Sequence, residues 1–323
     1  MAKPSLRLDP WPAEYESSFQ VEEFEEEVGA EVDTEVEGIG WRPVEGGDFV
    51  QPQRIFFVDG VRRIEARVIV DDGDSGQMTR GLFGSIAFGA VRVECNTAMF
   101  EEVQVKRYLV LGNGLSGETE ILRIGNTDLV FEPCSVVEDS PIAPLSGLQN
   151  LMRTEEAALA ETLAQESACV FADGPLNYFS GVKQRAVGVI KRLVVPYLSV
   201  SQFKLVRLLR TGQRTPLFVI TKGKYHRYSW YLRAGSTRSM DHDIAGLLRL
   251  EVRSGIGLPG AIELANVSTS CIPFFVGEWF RDARSPQNLL PVGSLERELR
   301  HRLGDALSIR RALEFKLFSA TIS

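Results

Sequence analysis

The sequence predicts an α/β fold, a mixed β-sheet flanked by helices. Three observations carry this. The first half of the chain alternates apolar and polar residues over runs broken by Asp/Gly turns, the pattern of an antiparallel meander. From residue 148 onward, segments of helical spacing alternate with short, wholly apolar runs of strand type. Two of the apolar runs, at 55–58 and 168–172, are each followed by Asp-Gly.

Residues 1–48 form an acidic N-terminal segment, readable over 21–37 as either a helix or a mobile arm. After the Pro/Gly-containing stretch 41–52, residues 54–58 (Arg-Ile-Phe-Phe-Val) read as a buried strand that delivers Asp59 at its end. Residues 64–70 alternate (Ile64, Ala66, Val68, Val70 against Glu65, Arg67, Ile69), and 81–94 continue the meander. Pairing is less defined over 103–111 and 121–131. Residues 148–165 carry Leu151, Ala158, Leu159 and Leu163 at helical spacing. The apolar run 168–172 is a strand ending at Asp173, 187–193 a further strand, 199–210 a basic helix, and 216–231 a hairpin turning at Lys222-Gly223-Lys224. A strand over 246–252, a helix near 259–265, an apolar strand or helix over 271–280 and a last helix over 294–318 complete the domain at 49–323.

The bulk composition, 44% hydrophobic and 24% charged over 323 residues, excludes a disordered chain. There is no run of 18 apolar residues, and the N-terminus has no charged head followed by an apolar stretch. A cytoplasmic location without a membrane span is expected. Cys95, Cys134, Cys169 and Cys271 form no CxxC pair and are expected to be buried apolar residues rather than zinc ligands or disulfides.

Charge is divided unevenly. Residues 1–48 hold fourteen Asp/Glu against three Lys/Arg, so the remainder carries +4 of a total of −7. Residues 174–240 contain no acidic residue and thirteen Lys/Arg. Such a stretch reads as a polyanion footprint. Arg62, Lys183, Arg185, Lys191, Arg192, Lys204, Arg207, Arg210 and Arg227 are candidate contacts to a DNA backbone, and Tyr225, Tyr228, Trp230 and Tyr231 candidate base-stacking residues. The acidic head would then dock a basic partner or shield the groove.

Phosphodiester cleavage needs an activated water and a stabilised leaving oxygen, which two divalent ions about 4 Å apart supply when carboxylates hold them. Asp59 and Asp173, at the ends of two buried strands, are the first candidates, with Mn²⁺ or Mg²⁺ suited to hard oxygen ligands. Asp-Gly is also the commonest turn dipeptide, so each also reads as a plain turn. Asp282 is a further candidate ligand that reads equally as a helix cap, while His226, His242 and His301 read as solvated. No GxxxxGK[ST] or GxSxG motif occurs, which excludes P-loop nucleotide hydrolases and serine hydrolases of those types.

Phe57-Val58-Asp59-Gly60 followed by Arg62 and Arg63, then Val170-Phe171-Ala172-Asp173-Gly174-Pro175-Leu176, the Tyr-rich basic segment 225–233, and Asp282–Leu289 followed by Leu295-Glu296 occur in an order that resembles the NurA nucleases. The resemblance spans about residues 54–312 and rests on short motifs. It implies a ribonuclease-H-like fold and a manganese-stimulated single-strand endonuclease and 5′-to-3′ exonuclease. It also implies a homodimer that docks on the hexameric HerA translocase, an ATPase. It implies Asp59 and Asp173 as metal ligands, a glutamate before the second aspartate (Glu166, or Glu156 on the preceding helix) and a hairpin tyrosine (Tyr228 or Tyr231). The competing reading is a non-catalytic DNA-binding adaptor on the same scaffold.

Overall fold

The computed structural model of the chain describes residues 5–8, 29–47, 54–72, 77–95, 97–164, 169–181, 185–193, 195–223, 225–236, 238 and 241–322. The strands are β1 (Ser5–Leu8), β2 (Glu31–Asp33), β3 (Val44–Glu45), β4 (Arg54–Asp72), β5 (Gln77–Glu94), β6 (Thr97–Leu111), β7 (Glu120–Ile124), β8 (Thr127–Ser135), β9 (Cys169–Asp173), β10 (Ala186–Ile190), β11 (Gln213–Arg214), β12 (Phe218–Lys222), β13 (Tyr225–Arg233) and β14 (Leu247–Arg253). The helices are α1 (Ala143–Ala164), α2 (Val200–Leu208), α3 (Gly257–Cys271), α4 (Leu290–Arg302) and α5 (Ala306–Ile322).

One sheet runs β2-β12-β13-β14-β10-β9-β4-β5-β6-β8-β7. At its centre β4, β5 and β6 form an antiparallel meander, and β9 then β10 add in parallel on the other side of β4. The order β6-β5-β4-β9-β10, with only β5 reversed, is the ribonuclease-H-like arrangement. The mixed sheet flanked by helices is as the sequence predicts.

Strand alternation sorts the two faces. Phe56, Val58, Val170 and Ala172 pack under α1 through Leu148, Met152 and Leu159. Phe57, Val61, Phe171, Val187, Val189 and Leu250 pack under α3 and α4 through Leu264, Val267, Leu295 and Leu299. Smaller clusters place α5 over Val68, Phe83 and Phe131, and α2 over Phe218 and Tyr231.

Several expectations are corrected. Asp59-Gly60 is not a turn: β4 continues through it to Asp72, with Asp59 paired to Gly89 and Gly60 to Phe88. Residues 64–70 do not form one alternating face, because a register shift between Ile64 and Ala66 resets the alternation. Ile64 joins the α1 core while Ala66, Val68 and Val70 face α5. The segment 271–280 is neither strand nor long helix: α3 ends at Cys271, one 3₁₀ turn covers Ile272–Phe275, and loop follows. The last helix is two, broken at Gly304 with φ +83°.

In the acidic head, Glu31–Asp33 is a strand paired with β12, while 21–28 lie outside the described residues. Cys169 and Cys271 are buried as expected, but Cys134 is half-buried and Cys95 exposed. Among the described residues no helix is long and apolar enough to cross a membrane.

Candidate metal centre

The centre grows from the register of three adjacent parallel strands. Val58 pairs with Ala172, so Asp59 and Asp173 are the next positions along β4 and β9. Two residues earlier on each strand, Phe57 and Phe171 stack at 5.3 Å between ring centroids beneath α3 and α4. Period-two alternation therefore puts both aspartates on that same face. On β10, Val189 pairs with Asp173, and Lys191 follows two residues later. Its Nζ lies 2.8 Å from Asp173 Oδ1 and donates to Asn288 Oδ1 at 2.8 Å. Three apolar rows thus lead into Asp, Asp and Lys.

Asp59 is 4% exposed, and its Oδ2 accepts no hydrogen bond from any described residue. Burial, then the Asp173 carboxylate, pushes its pKa well above the ordinary value of 3.8; Lys191 opposes this, while Glu156 and Glu296 add to it. For Lys191, burial alone would lower the pKa, but Asp173 and Asp59 outweigh it and the ammonium is held charged. Asn288 is itself fixed. An isolated bridge between Val276 and Leu289 closes the loop that carries it, and its Nδ2 donates to Asp282 Oδ2 at 2.8 Å. Arg284 donates to both oxygens of Asp282 and both of Glu296 on α4. The side-chain hydrogen bond from Arg284 holds the Asp282 carboxyl well below the usual range.

Glu156 comes from the other side of the sheet. Gly60 faces α1, and a β-carbon there would collide with Glu156 Oε1, so glycine admits the carboxylate to the β4 backbone. Arg153, one turn earlier on α1, donates from Nη1 to Glu156 Oε2 (2.9 Å) and to the Asp173 carbonyl (3.0 Å). It packs against Gly174, whose φ of +93° lets β9 turn away at this point. A small cleft lies here, lined by Arg153, Glu156, Asp173, Pro175, Tyr178 and Phe179 among others.

Asp59 and Asp173 offer the hard oxygens that Mn²⁺ or Mg²⁺ prefers, and the buried Asp59 Oδ2 without a donor fits a cation. Among the described residues no three His, Cys, Asp or Glu side chains are assembled to hold one. Glu156 approaches from the α1 face, and Asp282 is engaged by Asn288 and Arg284. Glu166 and Lys183 lie outside the described residues.

The hairpin tyrosines are not brought to the aspartates. β13 stands three places from β9 and four from β4, roughly 14 and 19 Å at about 4.8 Å per strand. Tyr231 is 1% exposed and stacks on Phe218; Tyr228 is half-buried against the core beneath α3 and α4. Trp230 is fully buried and Arg227 buried in an ion pair with Glu251, so neither has a face for DNA: they lie on opposite faces of β13, and both positions are covered. Lys191 is likewise taken from the DNA-contact set by Asp173.

Arg192, Lys204, Arg207, Arg210 and Tyr225 are exposed, with Arg207 paired to Asp243 and Arg210 to Glu45. Arg185 pairs with Glu263, and half-buried Arg62 donates to Gln149. His226, His242 and His301 are exposed.

Sequence reasoning missed Arg153 and Asn288. The i,i+3 spacing of Arg153 to Glu156 on one helix face was the available signal for the first. Asn288 lies within the Asp282–Leu289 motif, but its role had no local signal, because Lys191 is 97 residues away on another element.

No protein-family model and no curated protein matches the chain. Among solved structures, the NurA nuclease from Sulfolobus solfataricus is similar over 89% of this chain and 90% of that one, at 9% sequence identity and a TM-score of 0.48. The catalytic domain of human endonuclease V is similar over 83% of this chain and 91% of that one, at 16% identity and a TM-score of 0.34. Likenesses this distant carry no function across.

Proposed function

We propose that the chain is a divalent-metal-dependent deoxyribonuclease, with Asp59 and Asp173 as the ligands of Mn²⁺ or Mg²⁺. The observation that supports this best is the buried Asp59 carboxylate beside Asp173 on adjoining parallel strands, with one oxygen that no donor among the described residues reaches. Placing two carboxylates together and desolvating one is costly; Lys191 offsets part of that cost at Asp173, and a divalent ion would offset it at Asp59 Oδ2 as well. A bound divalent ion would supply Lewis-acid activation of water and of the scissile phosphate. Glu156, over Gly60 and in the cleft beside Asp173, is the residue to hold a proton or orient water. Arg153 fixes its position.

The finer reading rests on the order of the sequence motifs that resemble NurA. It is a cytoplasmic homodimer acting with a HerA-type hexameric ATPase in DNA end resection, as a 5′-to-3′ exonuclease and single-strand endonuclease. Exposed Arg192, Lys204, Arg207 and Arg210 and the exposed Tyr225 are the DNA contacts of this reading, and Asp282 drops to a residue that holds Asn288.

A second reading, a DNA-binding adaptor that does not cut, draws on the Lys191 ammonium that already neutralises Asp173. The test is degradation of end-labelled linear and single-stranded DNA with Mn²⁺, Mg²⁺ or EDTA, by wild type, Asp59→Ala and Asp173→Ala, alone and with the translocase. Metal-dependent cleavage lost in both variants supports the nuclease. DNA binding without cleavage in every condition gives the adaptor.

A further inference from the structure

Lys191 is a tightly held cation beside the two aspartates. It lies at the head of the apolar row Val187/Val189 and not on the basic surface, and its side chain is 19% exposed. Surface lysines are flexible; this one is held at both sides of its ammonium. Asp173 Oδ1 accepts on one side and Asn288 Oδ1 on the other, each at 2.8 Å. The Asn288 amide is oriented so that its oxygen faces Lys191, because its Nδ2 is committed to Asp282. Asp282 is in turn gripped by Arg284, and Arg284 by Glu296 on α4. Four residues from a loop and a helix thus fix the position of one amine.

What that amine does follows from where it sits. Asp59 and Asp173 are acidic groups on adjoining strands, and among the described residues no donor reaches Oδ2 of Asp59. Lys191 is the cation that neutralises the pair on the metal-free side, and it takes an oxygen of Asp173 that a metal would need. We propose that Lys191 is an internal counter-cation that competes with the divalent ion for Asp173. On this assignment, metal entry requires the ammonium to leave Asp173, and the Asn288–Asp282–Arg284–Glu296 chain sets how readily it leaves. A site of this kind stays folded without metal and binds its metal less tightly than two bare carboxylates would. The inference rests on Asp59 and Asp173 being the metal ligands.

Mn²⁺ binding to the full chain, measured by titration calorimetry without DNA, separates the possibilities, with melting temperatures in EDTA recorded alongside. Lys191→Met is expected to lower the Mn²⁺ Kd about tenfold or more and to lower the metal-free melting temperature. Asn288→Ala keeps the amine but removes its second tether, and is expected to change both in the same direction by less; it also serves if Lys191→Met does not fold. If wild type binds Mn²⁺ and loses binding in Asp59→Ala, but the Lys191 and Asn288 variants bind no tighter than wild type, the counter-cation role is overturned and the metal site stands. If neither wild type nor the Lys191 and Asn288 variants bind Mn²⁺, the metal reading falls and this inference with it.

Discussion

Asp59 is a carboxylate that the folded chain holds more readily as the neutral acid. Its raised pKa means that the folded state binds this proton more tightly than the unfolded chain does. The stability that this provides is fully present below the ordinary value of 3.8 and is lost as pH rises through the folded value. Asp59→Asn removes the loss. In EDTA the variant is expected to melt above wild type near neutral pH, with the two curves converging toward about pH 4. A variant that melts lower near neutral pH contradicts this account of the site.

The cysteines give a second test at this scale. Burial raises the thiols of Cys169 and Cys271, the latter to about 12, whereas Cys95 is exposed in the turn after β5. A thiol-alkylating reagent should label Cys95 first and reach Cys169 and Cys271 only on unfolding, so mass mapping of a time course should find no early adduct at either.

At the scale of elements, α4 is fixed to the sheet at its C-terminal end. Arg63 donates to the carbonyls of Leu303 and Gly304, Arg107 to that of Leu303, and Glu65 pairs with both arginines while accepting from Ser85. Cations at a helix C-terminus satisfy its orphan carbonyls, and buried Glu65 keeps the guanidinium groups compensated. Glu65→Ala leaves them with no carboxylate in this cluster and is expected to cost about 3–5 kcal/mol in denaturant unfolding, the usual cost of breaking a buried pair on one side.

Gly60 sets the approach of α1. Gly60→Ala is expected to displace Glu156, lowering any metal-dependent cleavage at least tenfold while leaving Mn²⁺ binding by Asp59 and Asp173 in place; parallel rate and binding measurements check this.

Across the whole molecule, three short strands of the N-terminal segment are part of the sheet. β1 pairs with β4, β2 with β12 and β3 with β11. Glu37 receives two hydrogen bonds from buried Arg214 and one from the Leu217 amide. Removing residues 1–48 therefore removes three strands and the carboxylate that neutralises Arg214, and the expected result is lost folding rather than altered partner affinity; circular dichroism of the truncated chain checks it. DNA binding belongs to this scale too. Replacing exposed Arg192, Lys204, Arg207 and Arg210 by Ala is expected to flatten the dependence of log affinity on log salt by up to about 0.9 per lost duplex-phosphate contact. An unchanged slope moves the DNA path elsewhere.

The sequence by itself determined the sheet and most of its strands, and it singled out Asp59 and Asp173, which the structure sets side by side on β4 and β9. The period of two, the apolar runs and the turn residues are local, and burial of an apolar face leaves a strand little choice. Of the two glutamates the sequence offered, Glu156 lies against Gly60 and Glu166 lies outside the described residues. The tertiary structure decided what depends on pairing between distant segments. Asp59-Gly60 looks like a turn until β5 and β9 are laid along β4 and carry the strand past it. Lys191, Arg227 and Trp230 belong to a basic, aromatic stretch that reads as surface. Strands on both sides and helices above and below turn the first into a partner of Asp173 and the other two into core, because no residue's charge or size says which face of a central strand it will occupy until register is fixed.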